Sequence, residues 1–216
     1  MGEELGRIEK PSVESFGQER KLFVVPLIFR GEDAPSEYSE KFDLYWQQAS
    51  DHIARLESKI GRVNRIYHEL VVVGGEKGLE MIERLNLSSC QIVREECQNG
   101  VQLEATDDRE LAEESLDWER CLLLGFMSDK VARMVGEFYV EASRKRYEGI
   151  ARKIDETLKA GERAILFVSE GHPIQFPQDM QVFSVFPPAL DQIHKWLRDR
   201  SEAKQVEPEQ EPQSDS

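Results

Sequence analysis

The residues best suited to chemistry follow an apolar run near the carboxyl-terminal end of the chain. The run is Arg163–Val168, and Ser169-Glu170-Gly171-His172 comes directly after it. A short apolar run bounded by turn residues is typical of a buried strand, and α/β folds bind ligands just beyond the carboxyl ends of their strands. A histidine next to carboxylates can act as a general acid or base or bind a metal ion. His172 and Glu170 are therefore the first candidate site residues.

Two other predicted strands also end in polar residues. Arg30-Gly31-Glu32-Asp33 follows the first strand, and Gly74-Gly75-Glu76 follows the second. If the strands are parallel, their carboxyl ends share one edge of the sheet, so Glu76 and Glu170 could meet His172 there. The alternative is that these are solvated loop residues, in which glycine serves only the turn.

The glycines after the second strand do not predict a nucleotide site. Gly74, Gly75 and Gly78 lack the Gly-x-Gly-x-x-Gly spacing of a dinucleotide-binding turn. Glu76 also places a negative charge at the start of the predicted helix, where the anion would have to bind.

Glu69 is the most unusual carboxylate, because it falls inside the second predicted strand, residues 65–73. Side chains alternate along a strand, so His68 and Glu69 face opposite sides of the sheet. If both sides are covered, one of these polar groups is buried, and a buried carboxylate must find partners or stay protonated. The alternative is a shorter strand with Glu69 near an exposed start.

Composition limits the partners. The chain has 216 residues and a net charge of -14, which disfavours nucleic acid. The basic run Arg144-Lys145-Arg146 is interleaved with acids, which is typical of a solvated helix face. No apolar run approaches ~18 residues, so no membrane span is expected. Three cysteines without metal-type spacing indicate a reducing compartment, so we expect a soluble, cytoplasmic protein.

The elements that must position these residues follow from hydrophobic periodicity. Five strands alternate with helices, which predicts an α/β fold with a mainly parallel sheet. Pro26 cannot donate to a ladder, so the first strand is predicted at an edge or with a bulge. Thr106 and Ser128 are predicted caps of two helices, with Asp107 in the first turn after Thr106. The predicted strands cover residues 22–29, 65–73, 101–105, 163–168 and 181–186.

One domain is expected over residues 21–200, with a helical insertion between strands three and four. Residues 1–20 are polar and aperiodic, which predicts a flexible N-terminal segment. Residues 201–216 are acidic and almost without large apolar side chains, which predicts a disordered tail.

A short carboxyl-terminal segment resembles a known family. The segment 146–158 starts with Arg146 and lies in a predicted helix, and Gly161-Glu162, an apolar strand and Gly171-His172 follow it. This order is similar to the carboxyl-terminal part of the TraB/TIKI and erythromycin-esterase-like superfamily. The resemblance implies an α/β fold and, as in some members, a metal-dependent or Glu/His-based hydrolase. It makes His172 a site residue and Arg146 a supporting one. The chain departs from the family at Ser169, where the turn has its first glycine.

Two functions are consistent with these residues. The first is a hydrolase-like enzyme acting on a small molecule, with His172 as base or metal ligand. Its carboxylate partners would be Glu69, Glu76 and Glu170, and a divalent metal is the cofactor that such a set would suit. The second is a non-catalytic domain that binds a protein or small effector, with the long helices forming a partner or dimer surface.

Overall fold

The computed structural model describes residues 19–206, with side chains through residue 202. Its described strands form a single parallel sheet in the order β3-β2-β4-β1-β5. The predicted α/β fold is thus confirmed. The strands are β1 (Arg20–Pro26), β2 (Arg65–His68), β3 (Gln102–Leu103), β4 (Arg163–Val168) and β5 (Met180–Ser184).

Helices cover both faces of this sheet. The helical insertion predicted between the third and fourth strands is present as α4 and α5. Within residues 19–206 no helix has the length and apolar character needed to span a bilayer. The helices are α1 (Ser36–Ile60), α2 (Gly75–Leu85), α3 (Leu87–Gln98), α4 (Arg109–Leu123), α5 (Asp129–Thr157) and α6 (Pro188–Val206).

The two predicted terminal segments lie mostly outside the described residues. Of the predicted N-terminal segment, residues 1–20, only Glu19 and Arg20 are described, and Arg20 begins β1. Of the predicted tail, residues 201–216, the first six belong to α6.

Alternation along the strands divides the core into two layers. On β1, Phe23 and Val25 pack in the layer shared with α1, α2, α3 and α6. Leu22 and Val24 pack on the other face against Ile150 and other residues from the carboxyl-terminal half of α5. That half of α5 therefore covers one face of the sheet and carries Arg146 toward the strand ends.

The predicted edge position of the first strand is wrong. β1 lies between β4 and β5. Pro26 is its last residue, so the missing N–H falls where the ladder ends. The next residue, Leu27, again donates to the ladder through its N–H, to Val168 O at 2.8 Å.

The second strand is shorter than predicted and ends at His68. Leu70 has a φ of 69°, in the left-handed region that non-glycine residues seldom adopt. The Val71 N–H then bonds back to His68 O at 3.1 Å, which closes a turn. Glu69 therefore lies at the carboxyl end of β2 and is only 3% exposed, so the alternative of an exposed strand start is also wrong.

The fourth helix begins two residues later than predicted. Asp108 is its cap, because its carboxylate accepts from the N–H groups of Glu110 and Leu111. The hydroxyl of Thr106 instead accepts from the His68 N–H at 2.9 Å. Asp107 consequently stays outside the helix. Ser128 does cap α5, as predicted, by accepting from the Val131 N–H.

Candidate functional site

A cavity of about 710 Å³ lies at the carboxyl edge of the sheet. This volume is typical of a site for a small organic ligand. Strand ends form one side of it, and the facing side chains of α4 and α5 form the other. Residues that line the cavity from the strand ends include Leu27, Phe29, Glu69, Ser169, Glu170 and His172, and those from the helices include Ser115, Glu119, Tyr139, Val140, Arg144, Arg146 and Tyr147.

Four residues singled out from the sequence meet at this cavity: Glu69, Arg146, Glu170 and His172. Glu76 is not among the residues that line it. Because β2 ends at His68, the chain leaves the sheet edge before residue 76, and Glu76 lies exposed in the first turn of α2.

The glycine before that helix serves close packing. A Cβ at Gly74 would lie 2.6 Å from the backbone oxygen of Leu103, so only glycine allows this approach to β3. The turn interpretation of these glycines, rather than convergence of Glu76 on the site, therefore fits the structure.

A buried ionic cluster forms part of the cavity wall. The Arg146 guanidinium lies between two carboxylates, with Nη2 at 2.6 Å from Asp107 Oδ2 and 2.9 Å from Glu69 Oε1. Each of the three residues is at most 5% exposed. Burial acts to lower the pKa of Arg146, but the hydrogen bond that it donates to Asp107 and the charges of both carboxylates outweigh this effect, so the pKa is raised. The guanidinium therefore stays charged.

Glu69 connects this cluster to the loop that follows β4. Its Oε2 accepts from the backbone N–H of Ser169 at 2.6 Å, and its Oε1 accepts from the Tyr147 hydroxyl at 3.1 Å. Burial, followed by the charge of Glu69, raises the pKa of Tyr147, so its hydroxyl keeps its proton and remains a donor. Charge-assisted bonds of this kind are the stronger ones in proteins. Glu69 thus fixes the start of the segment that carries Glu170 and His172.

Asp107, the other carboxylate bound to Arg146, also accepts hydrogen bonds from the backbone. Its Oδ2 accepts from the N–H of Leu70 at 3.2 Å, and its Oδ1 accepts from the N–H of Asp108 at 3.1 Å. The left-handed conformation of Leu70 costs energy and persists only where its surroundings hold it. The carboxylate of Asp107 supplies such a constraint, which joins the end of β2 to the beginning of α4.

His172 is half-buried, and its hydrogen bonding selects one tautomer. The backbone N–H of Ile174 donates to Nδ1 at 3.3 Å, so in the neutral ring the proton resides on Nε2. Burial lowers the pKa of His172, and the nearby charge of Glu69 opposes this only in part. The ring is therefore neutral at pH 7. In this state the Nε2–H group is able to donate a hydrogen bond to a ligand, which favours a donor role over the base predicted from the sequence.

Glu170 is oriented by a residue from a distant helix. Its Oε2 lies 2.7 Å from Nε2 of His194, which belongs to α6. Both side chains are partly exposed, at 38% and 44%. Glu170 thus offers the cavity a carboxylate that is held in place but remains in contact with solvent.

Three residues of this arrangement were missed by sequence reasoning. Tyr147 could have been found, because it adjoins Arg146 on the same helix. Asp107 was assigned to a helix terminus, and only the later start of α4 frees its carboxylate for Arg146. His194 carried no sequence signal, since it meets Glu170 only through the packing of α6.

His68 is a structural residue rather than part of the cavity. It is fully buried, with Nδ1 at 2.8 Å from the backbone oxygen of Glu69 and Nε2 at 3.0 Å from Ser89 Oγ. Burial lowers its pKa to about 4. The imidazole therefore joins the end of β2 to α3 as a neutral group.

Acid should destabilise the protein through His68. The unfolded chain, with an ordinary pKa of 6.5, takes up a proton before the folded chain, whose pKa is about 4. Stability that is fully present above pH 6.5 is therefore lost as the pH falls toward 4, by about 3 kcal/mol in total. Urea unfolding at pH 7 and pH 4.5 should show a loss about 2–3 kcal/mol larger in the wild type than in His68→Gln. An NMR titration that places the folded-state pKa near 6.5 would contradict this account.

No family model, curated protein or solved structure matches this chain. The resemblance to the TraB/TIKI and erythromycin-esterase-like superfamily therefore stays a prediction. Within residues 19–206, no group of three or more His, Cys, Asp or Glu side chains is arranged to hold a metal ion.

Proposed function

We propose that the protein is a hydrolase that acts on a neutral or cationic small ester or amide in the cavity at the strand ends. The observation that carries this proposal is the 2.6 Å bond from the Ser169 N–H to Glu69 Oε2. It anchors the loop that holds Glu170 and His172 at the cavity wall. A general base and a hydrogen-bond donor two residues apart on an anchored loop suit acyl hydrolysis.

The charges around the cavity support this substrate class. Three carboxylates and two guanidinium groups line it, and Arg146 is already neutralised by buried partners. The remaining field is negative, which disfavours phosphate and carboxylate substrates. Apolar side chains, among them Leu27, Phe29 and Val140, suit the hydrocarbon part of an ester or amide.

In the proposed reaction, the carboxylate of Glu170 takes a proton from a water molecule, whose oxygen attacks the carbonyl carbon. The carbonyl oxygen becomes negatively charged and accepts a hydrogen bond from Nε2–H of His172. The bond from carbon to the leaving group then breaks, and Glu170 returns its proton to the leaving oxygen or nitrogen. Glu69 and Arg146 act as positioning residues and take no part in proton transfer.

The likeness of residues 146–172 to the TraB/TIKI and erythromycin-esterase-like superfamily points in the same direction, because it also implies a hydrolase with a site histidine at His172. The proposal assigns Arg146 a supporting role as well, through the buried cluster with Glu69 and Asp107.

Glu170→Gln tests the proposed base. Purified protein should hydrolyse at least one member of a panel of chromogenic neutral and cationic esters and amides. On that substrate, Glu170→Gln should lower kcat by about 100-fold or more, because a general base typically contributes 10²–10⁴-fold. The matched control is Glu76→Gln, an exposed carboxylate outside the cavity, which should leave kcat unchanged. An equal effect of both substitutions would refute the assignment of Glu170.

A further inference from the structure

The helical hairpin formed by α4 and α5 ends in an exposed apolar surface. We call residues 117–141 the arm. Met127 is fully exposed, and Leu123 and Leu124 are each 82% exposed. Large apolar side chains this open to solvent mark an interaction site when they lie together. The exposed apolar residues of the arm are Leu122, Leu123, Leu124, Phe126, Met127, Val131, Met134, Phe138 and Val140.

The arm is not needed to cover the sheet. The buried residues of α5 begin at Ala142 and continue through Ile154, so the first half of this helix contributes nothing to the core beneath it. Inside the arm, the ring of Phe138 stacks on Trp118 of α4 at 4.9 Å. This contact joins the two helices and leaves the outer side of α5 without a covering element among the described residues.

We infer that the arm binds a second copy of this chain. Val131, Met134 and Phe138 recur at steps of three and four, which forms a stripe along α5. A standard interface takes on the order of 800 Å² from each partner, which the stripe can supply together with the exposed apolar side chains at the end of the hairpin.

The charges beside the stripe identify the partner as a second copy. Lys130 and Arg133 precede its middle, and Glu137 and Glu141 follow it; all four are exposed. When two identical helices pack antiparallel about a twofold axis near Met134, the basic end of each faces the acidic end of the other. Pairing of opposite charges across such an interface fixes orientation and partner choice.

The same charges disfavour a lipid surface as the partner. The arm contains five acidic and three basic residues, whereas segments that bind anionic membranes are rich in Lys and Arg. Val140 lines the cavity, but it lies nine residues from Val131 and therefore on the opposite side of α5 from the stripe.

Sedimentation of the full chain over a range of concentrations tests this inference. The wild type should form a dimer, and Leu123→Asp combined with Leu124→Asp should raise the dissociation constant by roughly 100-fold or more. Both leucines are solvent-exposed, so the substitutions should leave the fold intact, as circular dichroism would verify. The matched control is Leu87→Asp, which is 57% exposed on α3 and should leave the dimer unchanged.

A charge exchange tests the antiparallel arrangement. Lys130→Glu with Arg133→Glu, and separately Glu137→Lys with Glu141→Lys, should each weaken the dimer, and an equimolar mixture of the two variants should restore it. A wild type that stays monomeric at about 100 μM would overturn the inference. Binding of the monomer to phosphatidylcholine or phosphatidylserine vesicles through Leu123 and Leu124 would overturn it in favour of a membrane surface. Because these readouts do not involve hydrolysis, they stand apart from the proposed enzymatic function.

Discussion

Replacing Arg146 with leucine should lower the free energy of unfolding by about 3–5 kcal/mol, because breaking a buried ion pair leaves uncompensated charge in the interior. The variant would leave the carboxylates of Glu69 and Asp107, each only 3% exposed, without their guanidinium partner. Urea unfolding at pH 7 measures the effect.

Arg144→Leu is the matched control for this change. Arg144 lies two residues earlier on α5 and pairs with Glu141 and Glu148, but all three side chains are about half exposed. Exposed ion pairs contribute about 0–1 kcal/mol, so this substitution should have a small effect. If both substitutions destabilised the protein equally, the cluster would not be the constraint that we describe.

Replacing His172 with leucine should lower kcat by about 10²–10³-fold, the usual effect of removing one donor to a developing oxyanion. Leucine has a similar volume but no hydrogen-bonding group. Steady-state kinetics on the substrate found by the panel measure the change. His52→Leu is the control, because His52 lies on α1 and does not line the cavity. Loss of activity in both variants would indicate a general effect on the fold rather than a role at the site.

The sequence predicts this site where local signals dominate. β4 and the loop after it were found because an apolar run ends in Ser169-Glu170-Gly171-His172, and the structure has the strand at the predicted residues. Strand alternation predicted that His68 or Glu69 is buried if both faces of the sheet are covered, and in the structure both residues are buried. These features depend on neighbouring residues, which a single sequence displays directly.

The remainder depends on contacts between distant parts of the chain. β2 ends early because Leu70 adopts a left-handed conformation, and the carboxylate that accepts from its N–H belongs to Asp107, far along the sequence. Thr106 looked like a helix cap, but its hydroxyl accepts from His68 instead. Glu76 was expected at the site because β2 was predicted to continue to residue 73, whereas it ends at His68. Contacts between residues so far apart in the sequence leave no local pattern from which they could be predicted.

The most direct test of the enzymatic site compares His172→Gln with His172→Leu on the same substrate. Glutamine keeps an N–H donor at a similar reach, so the proposed role predicts that His172→Gln recovers at least about tenfold of the kcat that His172→Leu loses. Equal loss in both variants would contradict the donor role and favour a base. If both variants matched the wild type, the cavity at the strand ends would not be the catalytic site.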